Sequence, residues 1–270
     1  MATVSHVINK TRYVSPTLIK KVNDAMIELD YLPNMIAASL RRKKTKTIGL
    51  IIPDITNLFF AFLVKKFDNI LGENNFDIIV SNTTYSIDKE IEILNILRSK
   101  RVDGIIIIPE ATEPQNINNI VNSGISVCII EREIVEGNFD TVLIDNKSAM
   151  FEATEYLIKL GHKNIGYMDR RVDKSHSLER KKGYLLALEK YNLPIREEFI
   201  FKCGFSSEDG YKAASYFLNR KEKITAIQTS GDFAALGLIK YINNQGLDVP
   251  KDISVIGFSD IPRDIVKCCG

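Results

Sequence analysis

From Thr47 onward the chain alternates apolar runs of strand length with amphipathic stretches of helix length, and this alternation limits the fold more than any other feature. The strand candidates are TIGLIIP (47–53), FDIIVSN (76–82), GIIIIP (104–109), SVCIIE (126–131), TVLID (141–145), NIGYMD (164–169), TAIQT (225–229) and ISVIGF (253–258). Helical periodicity falls between them, near 58–74, 87–99, 114–122, 146–160, 176–190, 207–219 and 231–244. Near-continuous apolar runs suit strands covered on both faces. Strands alternating with helices build parallel sheet through right-handed crossovers. The alternation pauses near 131–146, where a boundary between two α/β lobes fits. Two doubly wound lobes facing each other enclose a cleft lined by the carboxyl ends of their strands.

The first 46 residues have another texture. Val4, Val7 and Ile8 form a one-turn stripe on a brief helix from Thr3 to Asn9. Ser15-Pro16 supplies an N-cap position followed by proline at the first helical position. Leu18, Ile19, Val22, Ala25, Met26 and Leu29 then recur at helical spacing, and the helix should stop before Leu32-Pro33. PNMIAASLRRKKTKT (33–47) reads as a short possible helix running into a basic connector. Residues 1–46 carry nine Lys/Arg against three Asp/Glu, whereas the remaining 224 carry 27 against 31. A basic head on a mildly acidic body suits a polyanionic partner, and suits equally a solvated basic face with none.

Catalytic constellations are missing from the sequence. It holds no Walker A loop, no GxGxxG after a strand, no HExxH and no GxSxG elbow. Of the three histidines, His162 in LGHKN falls at a helix-to-strand turn, where a structural role is expected. An enzyme would have neither a nameable nucleophile nor a base, so a binding protein is expected, with no cofactor and no metal site. The cysteines Cys128, Cys203, Cys268 and Cys269 make no CxxC pair and read as reduced thiols. No apolar run reaches membrane-span length and no signal peptide follows Met1, so a cytoplasmic location is expected.

Polar and aromatic residues gather instead at strand ends. Asn57, Phe59 and Phe60 follow the first strand, Glu131-Arg132 ends another, and Asp145-Asn146 ends TVLID. Arg180 sits in ERKKGY, Asp232 in SGD, and Ser259-Asp260 ends ISVIGFSD. Aromatic rings can stack on a ligand while Arg, Asp and Asn fix its polar edges. Core packing remains the alternative for Phe59 and Phe60, and surface ion pairing for Arg132 and Arg180.

Taken in order, TVSHVIN, YVSPTLIKKVNDAMIELDYLPN, AASLR, TIGLIIPDITNLFF, RVDGIIIIPE, the DN of LIDN, YLIKLGHKNIGYM, ERKKGY, FSSEDGYKAA, GDFAALG and GLDVPKDISVIGFSD resemble the lactose-repressor (LacI/GalR) family of bacterial transcription regulators over practically the whole chain. HVINKTR and the SGD at 230–232 are similar to its purine-repressor branch. The resemblance implies a homodimer gripping a palindromic operator, one helix-turn-helix per half-site. It implies phosphate contacts from Thr3, Ser5 and Asn9, and His6 at base edges in the major groove. It adds Tyr13 to the DNA-facing set, with Asn34, Ala37, Leu40 and Arg41 on a hinge helix. There Leu40 matches a leucine that wedges into the minor groove; a satellite contact with the body is the alternative.

The body would be of periplasmic-binding-protein type, with a small sugar or purine-like effector between the lobes. Asn57, Phe59, Phe60, Arg132, Arg180, Asp232 and Ser259 match cleft positions of such proteins. Ser259 stands where an Asp is frequent, Gly231 where sugar-binding members have Asn, and MDRRVD where a small glycine-rich turn is usual. The expected division is 1–32 for a partial helix-turn-helix head, 33–46 for hinge and linker, 47–144 for the first lobe and 145–270 for an incomplete second lobe. Family members carry a further helix before TVSHV and a return to the first lobe after GFSDIPR. The sequence therefore resembles a regulator shortened at both ends, with weakened DNA binding expected. The alternative is a small-solute sensor that has lost DNA binding through that shortening.

Overall fold

The computed structural model describes residues 2–9, 12–31, 44–110, 113–132, 134, 137–170, 175–204 and 206–261. Residues 1–46 and 47–270 form two compact units. In the first, α1 spans Ala2–Asn9 and α2 spans Pro16–Glu28. Pro16 opens α2 as its chemistry demands, and Ser15 takes the extended N-cap conformation, but its side chain makes no capping bond. The Ser15 carbonyl instead accepts from the Leu18 and Ile19 amides at 3.0 Å. None of the described head residues is buried, and Leu29, assigned above to the apolar stripe, is 76% exposed. Cys268 and Cys269 lie outside the described residues, while Cys128 and Cys203 form no disulfide.

The second unit begins with β1 (Thr47–Ile52), α3 (Leu58–Glu73), β2 (Asp77–Asn82), α4 (Ile87–Ser99), β3 (Gly104–Ile107), α5 (Pro114–Val121), β4 (Ser126–Ile130) and β5 (Asp140–Val142). These strands form one parallel sheet in the order β2-β1-β3-β4-β5. Pleating sends alternate residues of β1 to opposite faces. Leu50 and Ile52 pack with Phe60 and Ile108 against α3, while Ile51 joins Leu97, Ile105, Ile117 and Ile129 under α4 and α5. The apolar run of β1 is continuous because both faces are covered. Each such Leu or Ile contributes about 1.5–3 kcal/mol on burial.

The second lobe continues with α6 (Asn146–Lys159), β6 (Ile165–Arg170), α7 (Ser175–Lys190), β7 (Ile200–Cys203), α8 (Ser207–Leu218), β8 (Ala226–Gln228), α9 (Asp232–Asn244) and β9 (Ser254–Ile256). Its parallel order is β7-β6-β8-β9. Met168 and Ile227 face α8 and α9, and Ile165, Tyr167 and Ala226 face α6 and α7. The strand β7 was not foreseen. It is an edge strand of four residues whose Lys202 interrupts the apolar run, so its pairing with β6 supplies what its pattern lacks. TVLID shortens to β5 because this second edge strand pairs with β4 alone and leaves its side chains exposed.

His162 serves structure. Gly161 ends the turn after α6 at φ 97°, a conformation that favours glycine. The imidazole then lies 2.9 Å from Thr225 Oγ1 and 3.0 Å from Ser254 Oγ, tying the beginnings of β8 and β9 to β6. Burial lowers its pKa from 6.5, so the folded state binds the proton less tightly than the unfolded chain does. Stability from this group is therefore present above the unfolded pKa and is lost as pH falls below it. The urea-midpoint advantage of wild type over His162→Gln should shrink between about pH 8 and about pH 5. An advantage that stays constant over that interval would contradict the assignment.

Candidate functional site

Each lobe reverses its strand order once beside its first strand, between β1 and β3 in the first lobe and between β6 and β8 in the second. Crevices open at the carboxyl ends of such strands, because the crossovers on either side leave in opposite directions. A cavity of about 70 Å3, room for several waters, lies between the lobes at both reversals. From the first lobe it is lined by Pro53 and Asn57 after β1 and by Pro109 and Glu110 after β3. From the second it is lined by Arg170 at the end of β6 and by Ser230, Gly231 and Asp232 after β8.

Arg180, on α7, is held from three sides. Its Nε donates to Asn146 Oδ1 and one terminal nitrogen donates to the Ser230 carbonyl, both at 2.8 Å. Its guanidinium carbon stacks 3.8 Å from the centre of the Phe258 ring. Burial lowers its pKa, and the Glu131 carboxylate works against that shift. Burial also lowers Arg170, to about 10; Tyr85 and Glu131 oppose the shift, while Arg180 and Arg132 add to it. Glu131 is raised by burial, with Arg180 and Arg170 pulling it back down. Glu131 lies in the first lobe and the two arginines in the second, so charge attraction crosses the cleft. Tyr85 is raised to about 12, first by burial and next by Asp54.

The structure brings most of the sequence-selected cleft residues together. Asn57, Phe59, Phe60, Arg180, Asp232 and Ser259 all line the cavity. Asn57 also caps α3, accepting from the Phe59 amide at 3.1 Å. Phe60 is buried in the core beneath β1 and packs edge-on against Phe59 at 5.2 Å, so core and lining roles coincide there. Asp232 Oδ2 accepts from the Ile261 amide at 2.8 Å. Arg132 is not among the lining residues. Its predecessor Glu131 takes that place at φ 63°, and Arg132 feels the buried Glu90 carboxylate, which itself accepts from the Glu110 amide at 2.8 Å.

Among the described residues no group of three or more His, Cys, Asp or Glu is placed to hold a metal ion. Nor is any helix among them long and apolar enough to cross a membrane.

Residues 1–34 match the family described as bacterial regulatory proteins, lacI family, and residues 45–266 match the periplasmic binding proteins and sugar binding domain of the LacI family. The chain belongs to the LacI family. Catabolite control protein A of Priestia megaterium is 36% identical over 96% of this chain and 79% of its own length. The HTH-type transcriptional repressor PurR of Yersinia pestis is 35% identical over 96% of this chain and 76% of its own. The structure of a LacI-family transcriptional regulator from Enterococcus faecium with bound ribose superposes with a TM-score of 0.72 at 30% identity, covering 80% of this chain and 78% of that one. The two-lobed parallel-sheet architecture is that of the periplasmic-binding-protein type.

In this LacI-family head, Thr3 and Tyr13 are exposed, and Ser5 and His6 are half-buried. His6 and Tyr13 line a groove between α1 and α2. Asn9 ends α1. Asn34, Ala37, Leu40 and Arg41 lie outside the described residues. Sequence reasoning left out Tyr85, Glu110, Arg170, His176 and Ser230, all of which line the cavity. For Glu110, Arg170 and Ser230 the strand-end rule would have found them. Tyr85 reaches the cleft through a left-handed backbone at φ 60°, which has no sequence signature on a tyrosine.

Proposed function

We propose that this LacI-family regulator is a cytoplasmic homodimeric repressor that binds a palindromic operator, and that a small sugar or purine-like effector between its lobes changes that affinity. The observation that carries it is one chain joining a lacI-type head to a two-lobed body whose cavity lies at both strand-order reversals. The proposed organisation is a helix-turn-helix head at 1–32, hinge and linker at 33–46, and lobes at 47–144 and 145–270. DNA contacts are assigned to Thr3, Ser5, His6, Asn9 and Tyr13 in the head and to Asn34, Ala37, Leu40 and Arg41 in the hinge. Effector contacts are assigned to Asn57, Phe59, Phe60, Arg180, Asp232 and Ser259, with Arg132 outside the lining and under the influence of the Glu90 carboxylate. The ribose bound by the Enterococcus faecium relative supports a sugar-sized ligand. The named relatives are regulators, which supports a protein without catalytic activity.

Salt dependence tests the reading. A palindrome selected by the protein from a random duplex library should bind about a thousandfold tighter than its scrambled sequence. With six or more phosphate contacts, affinity should fall roughly a thousandfold between 50 and 200 mM salt. Equal, feeble binding to both duplexes would favour the second reading, a solute-binding module without DNA recognition. One observation speaks for that reading: none of the described head residues is buried.

A further inference from the structure

The cavity reaches the N-terminal end of α9, and that end is open. The first amides of a helix have no carbonyl within it to donate to. An N-cap side chain usually accepts from the second or third of them. Here the N-cap is Gly231, in extended backbone at φ 179°, and no side chain caps the helix. The Asp232 and Phe233 amides, the first two of α9, have no acceptor among the described residues, and both residues line the cavity. Asp232 does not close the end itself. Its Oδ2 accepts from the Ile261 amide at 2.8 Å, and its Oδ1 stands 1.9 Å from where a Cβ on Gly257 would be. The carboxylate is thus turned toward the loop after β9.

A second observation lies one residue earlier. Ser230 lines the same cavity, is 4% exposed, and its hydroxyl has no hydrogen-bond partner among the described residues. Its backbone is fixed on both sides: Arg180 donates to the Ser230 carbonyl at 2.8 Å, and Thr229 Oγ1 donates to the Gly231 carbonyl at 3.0 Å. A buried hydroxyl costs free energy until it is bonded, and this turn holds one at the cavity wall.

We propose that the effector presents a neutral oxygen, a sugar hydroxyl or a ring carbonyl, to this helix end, where it accepts from the first amides of α9 and bonds with the Ser230 hydroxyl. The inference rests on the reading of the cleft as the effector site, and it names the chemical group read there. The helix end favours an acceptor, because its amides only donate and the helix dipole is positive there. The acceptor is neutral because the Asp232 carboxylate, in the first turn, already supplies the negative charge. The ligand oxygen takes the place that a capping side chain takes in other helices.

Titration calorimetry on the full chain tests this with ribose, glucose and hypoxanthine. Purine, which lacks the carbonyl, is the control, and inorganic phosphate is the charged arm. At least one of the first three should bind. Binding of a sugar identifies a hydroxyl as the group read, binding of hypoxanthine identifies a ring carbonyl, and each supports the proposal. Ser230→Ala, which removes a hydroxyl without a partner and keeps the backbone, should weaken that ligand about tenfold. Gly231→Ser should weaken it as much by another route, since the new hydroxyl would occupy the amides that the ligand needs. There is room for it: a Cβ at Gly231 meets nothing closer than the Phe258 carbonyl oxygen at 3.8 Å. Without ligand, Gly231→Ser should melt at or slightly above the wild-type temperature, because a cap satisfies open amides.

A bound sugar or hypoxanthine whose affinity changes less than about twofold in either variant would overturn the inference while leaving the effector cleft standing. So would purine bound as tightly as hypoxanthine or tighter, inorganic phosphate bound more tightly than all three, or a lowered melting temperature for Gly231→Ser. If none of ribose, glucose, hypoxanthine and purine binds, the effector-cleft reading fails, and the inference fails with it.

Discussion

Gly237→Val should unfold the second lobe under conditions where the wild type is stable, lowering its thermal midpoint by about 6–12 °C or more. A Cβ at Gly237 would stand 1.7 Å from the Ser207 carbonyl oxygen and 2.6 Å from its carbon. Gly210 faces the reciprocal restriction, with a Cβ placed 1.8 Å from the Ala234 carbonyl oxygen. Helices α8 and α9 therefore meet backbone to backbone at two glycines, and no flexible side chain can yield to make room. A valine must push the helices apart. That separation strips contacts from Ala213, Ala214, Phe217, Leu238 and Ile242, which share one core face. Overpacking commonly costs about 1–3 kcal/mol, and a backbone obstacle puts this site at or above the upper figure. Because Asp232 opens α9, the cleft floor should move as well, and ligand-induced stabilisation should vanish. A midpoint within about 2 °C of wild type would show that the helix pair has slack that the glycine contacts deny.

Arg180→Met should cost about 2–4 kcal/mol of stability and abolish the effector response. Methionine keeps much of the arginine's length and apolar stem, so the loss is polar. Asn146 Oδ1 and the Ser230 carbonyl lose their donor, Phe258 loses its stacked cation, and Glu131 is left with Arg170 as the remaining arginine that lowers its pKa. The direction of the Glu131 shift supplies a control. With Arg180 gone the carboxyl should titrate still higher, and adding Glu131→Gln to Arg180→Met should restore part of the stability by removing a stranded buried charge. Arg180→Lys should be intermediate, since an ammonium keeps the charge but cannot span two acceptors and a ring in one plane. Urea midpoints for wild type, Arg180→Met, Glu131→Gln and the double variant form a double-mutant cycle. A cycle with no coupling between positions 131 and 180 would refute the cross-cleft attraction.

Much of this molecule is legible in its amino-acid order. The apolar runs at 47–53 and 104–109 imply buried parallel strands because no other environment covers every side chain of such a run. Asn57, Phe59, Asp232 and Ser259 could be placed at a cleft because they follow strands, and strand ends in open α/β sheets face the crevice. β7 escaped because an edge strand draws its stability from its neighbour, and neither its length nor its composition advertises that. Arg132 and Glu131 show the finest-grained failure. Adjacent residues leave a strand on opposite sides, and the left-handed conformation of Glu131 decides which of the two meets the cavity.

Periodicity, turn residues and strand-end chemistry are local properties, so the amino-acid order alone was enough for the two lobes, the position of the cleft and the family. The charge balance of the cleft is of another kind. Glu131, Arg170, Arg180 and Ser230 are spread over 100 positions of the chain, and no pattern within any one segment says that they converge on a single cavity. Their convergence follows from how the two sheets turn their switch points toward each other. The low dielectric of that enclosure strengthens the attraction of Glu131 to Arg170 and Arg180, where the same residues on an open surface would be quenched by water.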